Sequence, residues 1–351
     1  MAAYTTIDNP ELYFQAVTYT GNGSSQSVTL DGDENMQPDL VWVKNRSTTE
    51  HHVVYDSVRG VNKVIYPNQV NDQDSESNGV SSFDSDGYSI TNTNGALNGS
   101  GNSMVAWCWK AGAGSGSSNE DGSINTTSTS VSTTAGFSIS KYTGNETAGD
   151  TVGHGLGAVP QVIMVKKLSQ NDDWFCYFES VLSNGSKISL NTTAASASAS
   201  SYWNNTTPTS SVFTLGANGA NNADGQTHVA YCFTEKQGYS KFGSYTGNGN
   251  ADGPFVYTGF RPAFVLQKNA GNTQGWQLQD NKREGYNGDN DLLQPHDNAA
   301  ESGVNRIDIL SNGFKVITTD AGQNSSGTKY IYMAFAEAPF VNSNGVPGNA
   351  R

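Results

Sequence analysis

Five histidines, three cysteines and a scatter of acidic side chains are the groups in this sequence whose types could do chemistry. The histidines are His51, His52, His154, His228 and His296. His51 and His52 are neighbours, and neighbours on a strand point to opposite faces, so they do not readily share one metal ion. Cys108, Cys176 and Cys232 are odd in number and lack paired spacing, which gives neither a disulfide framework nor a metal knuckle. A small buried hydrophobe in a strand is the expectation for each of them. No His-Glu-x-x-His, no Gly-x-Ser-x-Gly and no phosphate loop running into a helix occurs. The Gly-x-Gly matches fall in hairpin loops, where glycine serves positive φ. No catalytic, cofactor-binding or metal-binding residue is predicted.

Acidic and aromatic positions supply what remains. Asp56, Glu179 and Asp280 sit in Tyr55-Asp56-Ser57, Phe178-Glu179-Ser180 and Gln279-Asp280-Asn281, at nearly equivalent places. Recurrence argues against catalysis, since one active site needs no three copies. A turn cap or a salt bridge to Arg59 or Arg283 is the favoured role, with a ligand or cation contact as its rival. Asp31-Gly32-Asp33-Glu34-Asn35, Asp84-Ser85-Asp86 and Asn287-Gly288-Asp289-Asn290-Asp291 could each offer oxygens to calcium, though none completes the twelve-residue helix–loop–helix pattern. Trp174, Trp203 and Trp276 could line a sugar-stacking surface, against the alternative of core packing. These six side chains (Trp174, Trp203, Trp276, Asp56, Glu179, Asp280) form the candidate ligand or assembly surface.

The elements that must position them recur. Tyr19-Thr20-Gly21-Asn22-Gly23 returns as Tyr142-Thr143-Gly144-Asn145 and as Tyr245-Thr246-Gly247-Asn248-Gly249. A proline opening an apolar strand that ends in lysine appears as Pro38 to Lys44, Pro160 to Lys166 and Pro262 to Lys268. Each unit closes on an aromatic strand: Val105-Ala106-Trp107-Cys108-Trp109, Val229-Ala230-Tyr231-Cys232-Phe233 and Tyr332-Met333-Ala334-Phe335-Ala336. All three landmarks keep offsets of about 123 and then about 103 residues, which is the signature of a tandem repeat. Between landmarks, short apolar alternation is broken by Asn-Gly, Asp-Gly and Gly-Ser turns, the pattern of sheets joined by tight turns. The class is all-β, with three tandem units of β-sandwich or jelly-roll type. The expected organisation is an N-terminal anchoring segment (1–15), repeats over 16–110, 136–238 and 239–341, a Gly/Ser/Thr-rich linker (111–135) and a C-terminal tail (342–351). Flexibility is expected between the first two units and a rigid join between the second and third. Alternation places Trp107 and Trp109 on one face and Ala106 and Cys108 on the other, with the rings facing a core.

The 351 residues carry a formal net charge of −13. Phosphate binding needs clustered Lys and Arg, so nucleic acid is excluded as a partner. No apolar run approaches a membrane span and no charged-then-apolar segment opens the chain, so neither membrane insertion nor ordinary export is expected. Aromatics at 10% offset a hydrophobic fraction of 35%, since thin sandwich cores close on large rings.

The long phrases of this sequence bear a resemblance. Ala2-Ala3-Tyr4-Thr5-Thr6-Ile7-Asp8-Asn9-Pro10, Gly101 to Lys110, Tyr239 to Gly249, Asn205 to Phe213 and the ending Gly345 to Arg351 are similar to β-repeat virion proteins of marine tailed phages, cyanophages above all. The resemblance covers essentially the whole chain. It implies a virion structural protein made in the host cytoplasm, and it implies no catalytic residue. A tail fibre or appendage contributing to host attachment is the leading expectation. Its partners would be other virion proteins, a host cell-surface glycan or protein, and further copies of itself, with a trimer favoured. A capsid decoration or neck/baseplate accessory protein is the alternative, and a polysaccharide-binding or polysaccharide-degrading tail protein the second.

Overall fold

The computed structural model describes residues 4–180, 186–283, 287 and 291–348. Its strands are short, antiparallel and joined by turns, and the helices are single turns. The protein is all-β and sandwich-like.

Three main sheets share one strand order. In the first, Phe14–Thr20 pairs with Ser103–Trp109, which pairs with Leu40–Asn45, which pairs with Val53–Asp56. The second repeats this as Phe137–Thr143, Thr227–Phe233, Val162–Lys167 and Phe175–Phe178. The third runs Ser240–Thr246, Lys329–Pro339, Phe260–Asn269 and Trp276–Asp280. A smaller outer sheet accompanies each, of which the first is Gln26–Thr29, Gly87–Ile90 and Val80–Asp84.

The Tyr-Thr-Gly-Asn element has a packing explanation. Before each closing strand lies a one-turn helix: Gly95–Asn98, Gly219–Asn222 and Ala321–Asn324. Asn94, Asn218 and Asp320 cap them by accepting a backbone N–H two residues on. The motif tyrosine donates its hydroxyl to a helix carbonyl, Tyr19 to Leu97, Tyr142 to Asn221 and Tyr245 to Gln323. The last helical residue is a fully buried asparagine whose Oδ1 accepts the motif asparagine's N–H, Asn98 from Asn22, Asn222 from Asn145 and Asn324 from Asn248. A side chain at Gly21 would put its Cβ 2.2 Å from the Gly99 carbonyl oxygen, so glycine is required there. The motif is a staple holding the loop to the sheet.

The ring-bearing faces of the three sheets meet one another. Trp107 and Trp109, Tyr231 and Phe233, and Met333 and Phe335 belong to one hydrophobic cluster that also holds Trp42, Met164 and Leu266. Phe335 lies 5.6 Å from Trp109 and 5.9 Å from Phe233, ring centre to ring centre. The small-residue faces turn outward to the separate cores beneath the outer sheets, Ala106 and Cys108 in the first, Ala230 and Cys232 in the second. All three cysteines are buried. Each ring buried this way contributes about 1.5–3 kcal/mol.

Two expectations change. The segment 111–135 is no free linker. Thr126–Ser132 adds a strand to the second sheet, and buried Asp39 accepts the N–H groups of Ala111, Ala113 and Gly114 at 2.7–2.8 Å. Residues 4–8 dock on their own chain. Thr5 donates to the Gln237 carbonyl, Ile7 enters the shared core, Tyr4 meets Tyr257 through their hydroxyls, and Asp8 accepts from Ser343; residues 1–3 lie outside the described residues. The third closing landmark shifts by two residues, because Tyr245 pairs with Tyr330 as Tyr142 pairs with His228. A shift of two leaves every side chain on its expected face.

Candidate functional site

The candidate carboxylates stand at the seams between sheets. Asp56 closes the fourth strand of the first sheet, opposite Leu40, and Asp280 has the same place opposite Phe264. Both are buried. Asp56 accepts from Arg59 Nε at 2.5 Å and from the hydroxyl of Tyr231, in the second sheet, at 2.6 Å. Asp280 accepts from Arg283 Nε at 2.7 Å and from the indole N–H of Trp107, in the first sheet, at 3.0 Å. Arg283 is also bonded to Glu301, which in turn holds Arg46 at 2.6 Å. Burial drives the Tyr231 pKa well above its ordinary value, so the phenol remains a donor.

Glu179 is not the third member. The residue opposite Val162, at the place of Asp56 and Asp280, is Phe178, and Glu179 is exposed. Phe178 packs on Trp276 at 6.0 Å, and the closing-strand position matching Trp107 and Tyr231 is Met333, which has no hydrogen to donate. At this position two seams are therefore polar and paired, while the third is apolar on both sides.

The tryptophans are buried and offer no stacking surface. Trp174 donates its indole N–H to the Tyr66 carbonyl of the first unit, and Trp276 to the Ser189 carbonyl of the second, each at 2.9 Å. The matching position in the first unit is His52, whose Nδ1 accepts from Trp42 at 3.0 Å. Trp203 lies in the second unit's own core against Tyr177.

The strand-ending lysines, singled out only as a repeat landmark, complete the seams. Lys44, Lys166 and Lys268 are buried, and their ammonium groups donate to backbone carbonyls. Each reaches the preceding unit: Lys166 to Val70 O at 2.9 Å, Lys268 to Thr193 O at 3.4 Å, and Lys44 to Asn298 O at 3.2 Å, which closes the ring. Burial pushes all three pKa values down to about 8. Backbone bonds run alongside, from Asp172 to Val70, Gln274 to Thr193 and Glu301 to Arg46.

This arrangement does mechanical work. Both buried carboxylates have their oxygens engaged by cations and by N–H or O–H donors. The cavity in the shared core, about 30 Å³, is lined by apolar and aromatic side chains including Trp42, Trp109, Met164, Trp174 and Phe264, and such voids stay dry. Among the described residues no group of three or more His, Cys, Asp or Glu could hold a metal ion. Asp31 bonds Lys282, Asp84 accepts from Ser89, and Asp86 accepts the Met36 N–H, while Gly288, Asp289 and Asn290 lie outside the described residues. No helix among those residues is long and apolar enough to cross a membrane.

The fold and seams define a closed all-β ring of three sheets on one core. The chain belongs to the family described as domain of unknown function DUF7483, whose model matches residues 9–339. No curated protein and no solved structure matches it.

Proposed function

We propose that this chain is a non-catalytic structural protein of a tailed-phage virion, a tail-associated appendage that contributes to host attachment. The observation that carries the reading is where the functional side-chain types have gone. The buried acids Asp56 and Asp280 and the three lysines are engaged in bonds that join sheet to sheet. Among the described residues the fold presents turns and polar loops outward, together with the aromatic pair Phe255 and Tyr257. A rigid frame with variable loops suits recognition and assembly. The resemblance of the long sequence phrases to phage virion proteins points the same way. Three sheets already close on one core within a single chain, so a trimer is not needed to form that core.

Immunogold labelling of intact virions with antibody to the recombinant protein tests this. Label at tails or fibre tips is the expected result. Label spread over heads would replace the attachment role with capsid decoration, and virions without label would remove the virion reading.

A further inference from the structure

The third unit differs from the first at matching positions on both sides of its outer sheet. On the inner face of the first unit's outer core stand Val43, Val53, Tyr55 and Leu97. The matching positions of the third are Gln267, Gln277, Gln279 and Gln323, all buried. Outside, the pattern reverses. Phe255 and Tyr257, 47% and 52% exposed, flank buried Val256 on the edge strand of the third outer sheet. The first unit has Ser27 and Thr29 at those positions, and the second has Thr151 and Gly153.

The backbone of this edge is open. Pro254 and Thr258 bond to Val316 and Asn312 on the neighbouring strand, and antiparallel pairing alternates, so Val256 also faces inward while the N–H and C=O groups of Phe255 and Tyr257 point out. Edges of this kind recruit another strand unless they are blunted by charge. From Pro254 to Thr258 the edge carries no charged residue, in a chain of net charge −13. The equivalent edge in the second unit shows that it accepts a covering segment: Ile124 forms a parallel bridge with Val152, its N–H bonds the Thr151 carbonyl at 2.9 Å, and Ser123 Oγ accepts the Thr151 N–H at 2.8 Å. The direct join between the second and third units supplies no such arm, and among the described residues the N-terminal segment meets this edge through the Tyr4 hydroxyl on that of Tyr257.

We infer that two copies of this chain pair through Phe255–Tyr257, antiparallel, about a two-fold axis at Val256. The edge is self-complementary in that register. Phe255 of one copy stands opposite Tyr257 of the other, their outward N–H and C=O groups bond mutually, and two Phe–Tyr cross-strand pairs form on one face. The two outer sheets become one. The ladder spans only Phe255 to Tyr257, which keeps the contact short and the association reversible.

Sedimentation velocity across a concentration series tests the pairing. A monomer–dimer equilibrium is expected for the full chain. The double substitution Phe255→Lys with Tyr257→Lys should weaken it at least tenfold while leaving the thermal melt unchanged. Ser27→Lys with Thr29→Lys, at the matching edge of the first unit, should leave it intact. A chain that stays monomeric at every concentration overturns the proposal. So does a dimer or higher oligomer that survives the 255/257 substitution, or one lost equally with the 27/29 control.

Discussion

The first and third units share strand order, staple and lysine, and both have apolar outer cores, yet the third sets buried glutamines where the first has Val43, Val53, Tyr55 and Leu97. Tyr55 and Leu97 pack among valines in the first. In the third, Gln323 bonds Gln267, Gln267 reaches Tyr245, and Arg306 links Gln277 to Asp320. Gln279 Nε2 and Gln323 Oε1 have no partner there. A buried polar network is rigid when complete and a weak point when not. The frame thus specifies which face each strand presents without specifying its polarity, and local stability can differ between units of one topology.

The largest effect should come from breaking the buried ion pairs. Asp56→Ala leaves Arg59 buried with carbonyl partners and no carboxylate, and should cost about 3–5 kcal/mol in chemical denaturation. Asp280→Ala should cost less, because Glu301 still holds Arg283 at 2.6 Å. Equal losses would mean that Glu301 contributes nothing. Next, Leu97→Gln carries the third unit's chemistry into the first and should destabilise by about 1–3 kcal/mol, since no amide partner awaits it. The reverse change, Gln267→Val with Gln279→Leu and Gln323→Leu, should be neutral or stabilising, because donors and acceptors are removed together. In native hydrogen exchange the third outer sheet should open before the first.

The smallest effects are in pH. His52 and His228 have pKa values depressed chiefly by burial, His228 to about 4. The unfolded chain binds their protons first, so stability should fall as pH drops below about 6.5. The buried lysines act at the other end. Their folded values near 8 lie below the ordinary 10.5, so stability should rise from pH 8 towards 10. Above that, Tyr88, Tyr142 and Tyr245, pushed well above 10 by burial, reverse the trend, because the unfolded chain ionises first. A melting series from pH 4 to 11 checks both limbs.

Much of the frame was legible in residue order. Alternation assigned the faces of the closing strands correctly, and turn chemistry marked the class. The partner of each face was not legible, because a period of two says nothing about which sheet lies opposite. Asp56 and Tyr231 are 175 residues apart, and no local pattern joins them. Glu179 was misplaced through matching by residue type. Counting twelve positions on from each strand lysine lands on Asp56, Phe178 and Asp280. The buried asparagines at 98, 222 and 324 did leave a trace, an Asn or Asp four residues earlier in every unit. Trp174 and Trp276 looked like surface candidates because an indole suits sugar stacking and seam burial equally well.

Closure of the ring also fixes a timetable. Met333 and Phe335 complete the shared core, and Ile7 enters it from the other end of the chain. On the ribosome, the rings of Trp107 and Trp109 must wait through some two hundred further residues before their last neighbours emerge. The first unit can assemble its own outer core early, but its inner face stays wet until the third unit emerges. Closure of the shared core is therefore tied to the emergence of the third unit, and a chain stalled after the second presents a sticky surface to whatever holds it.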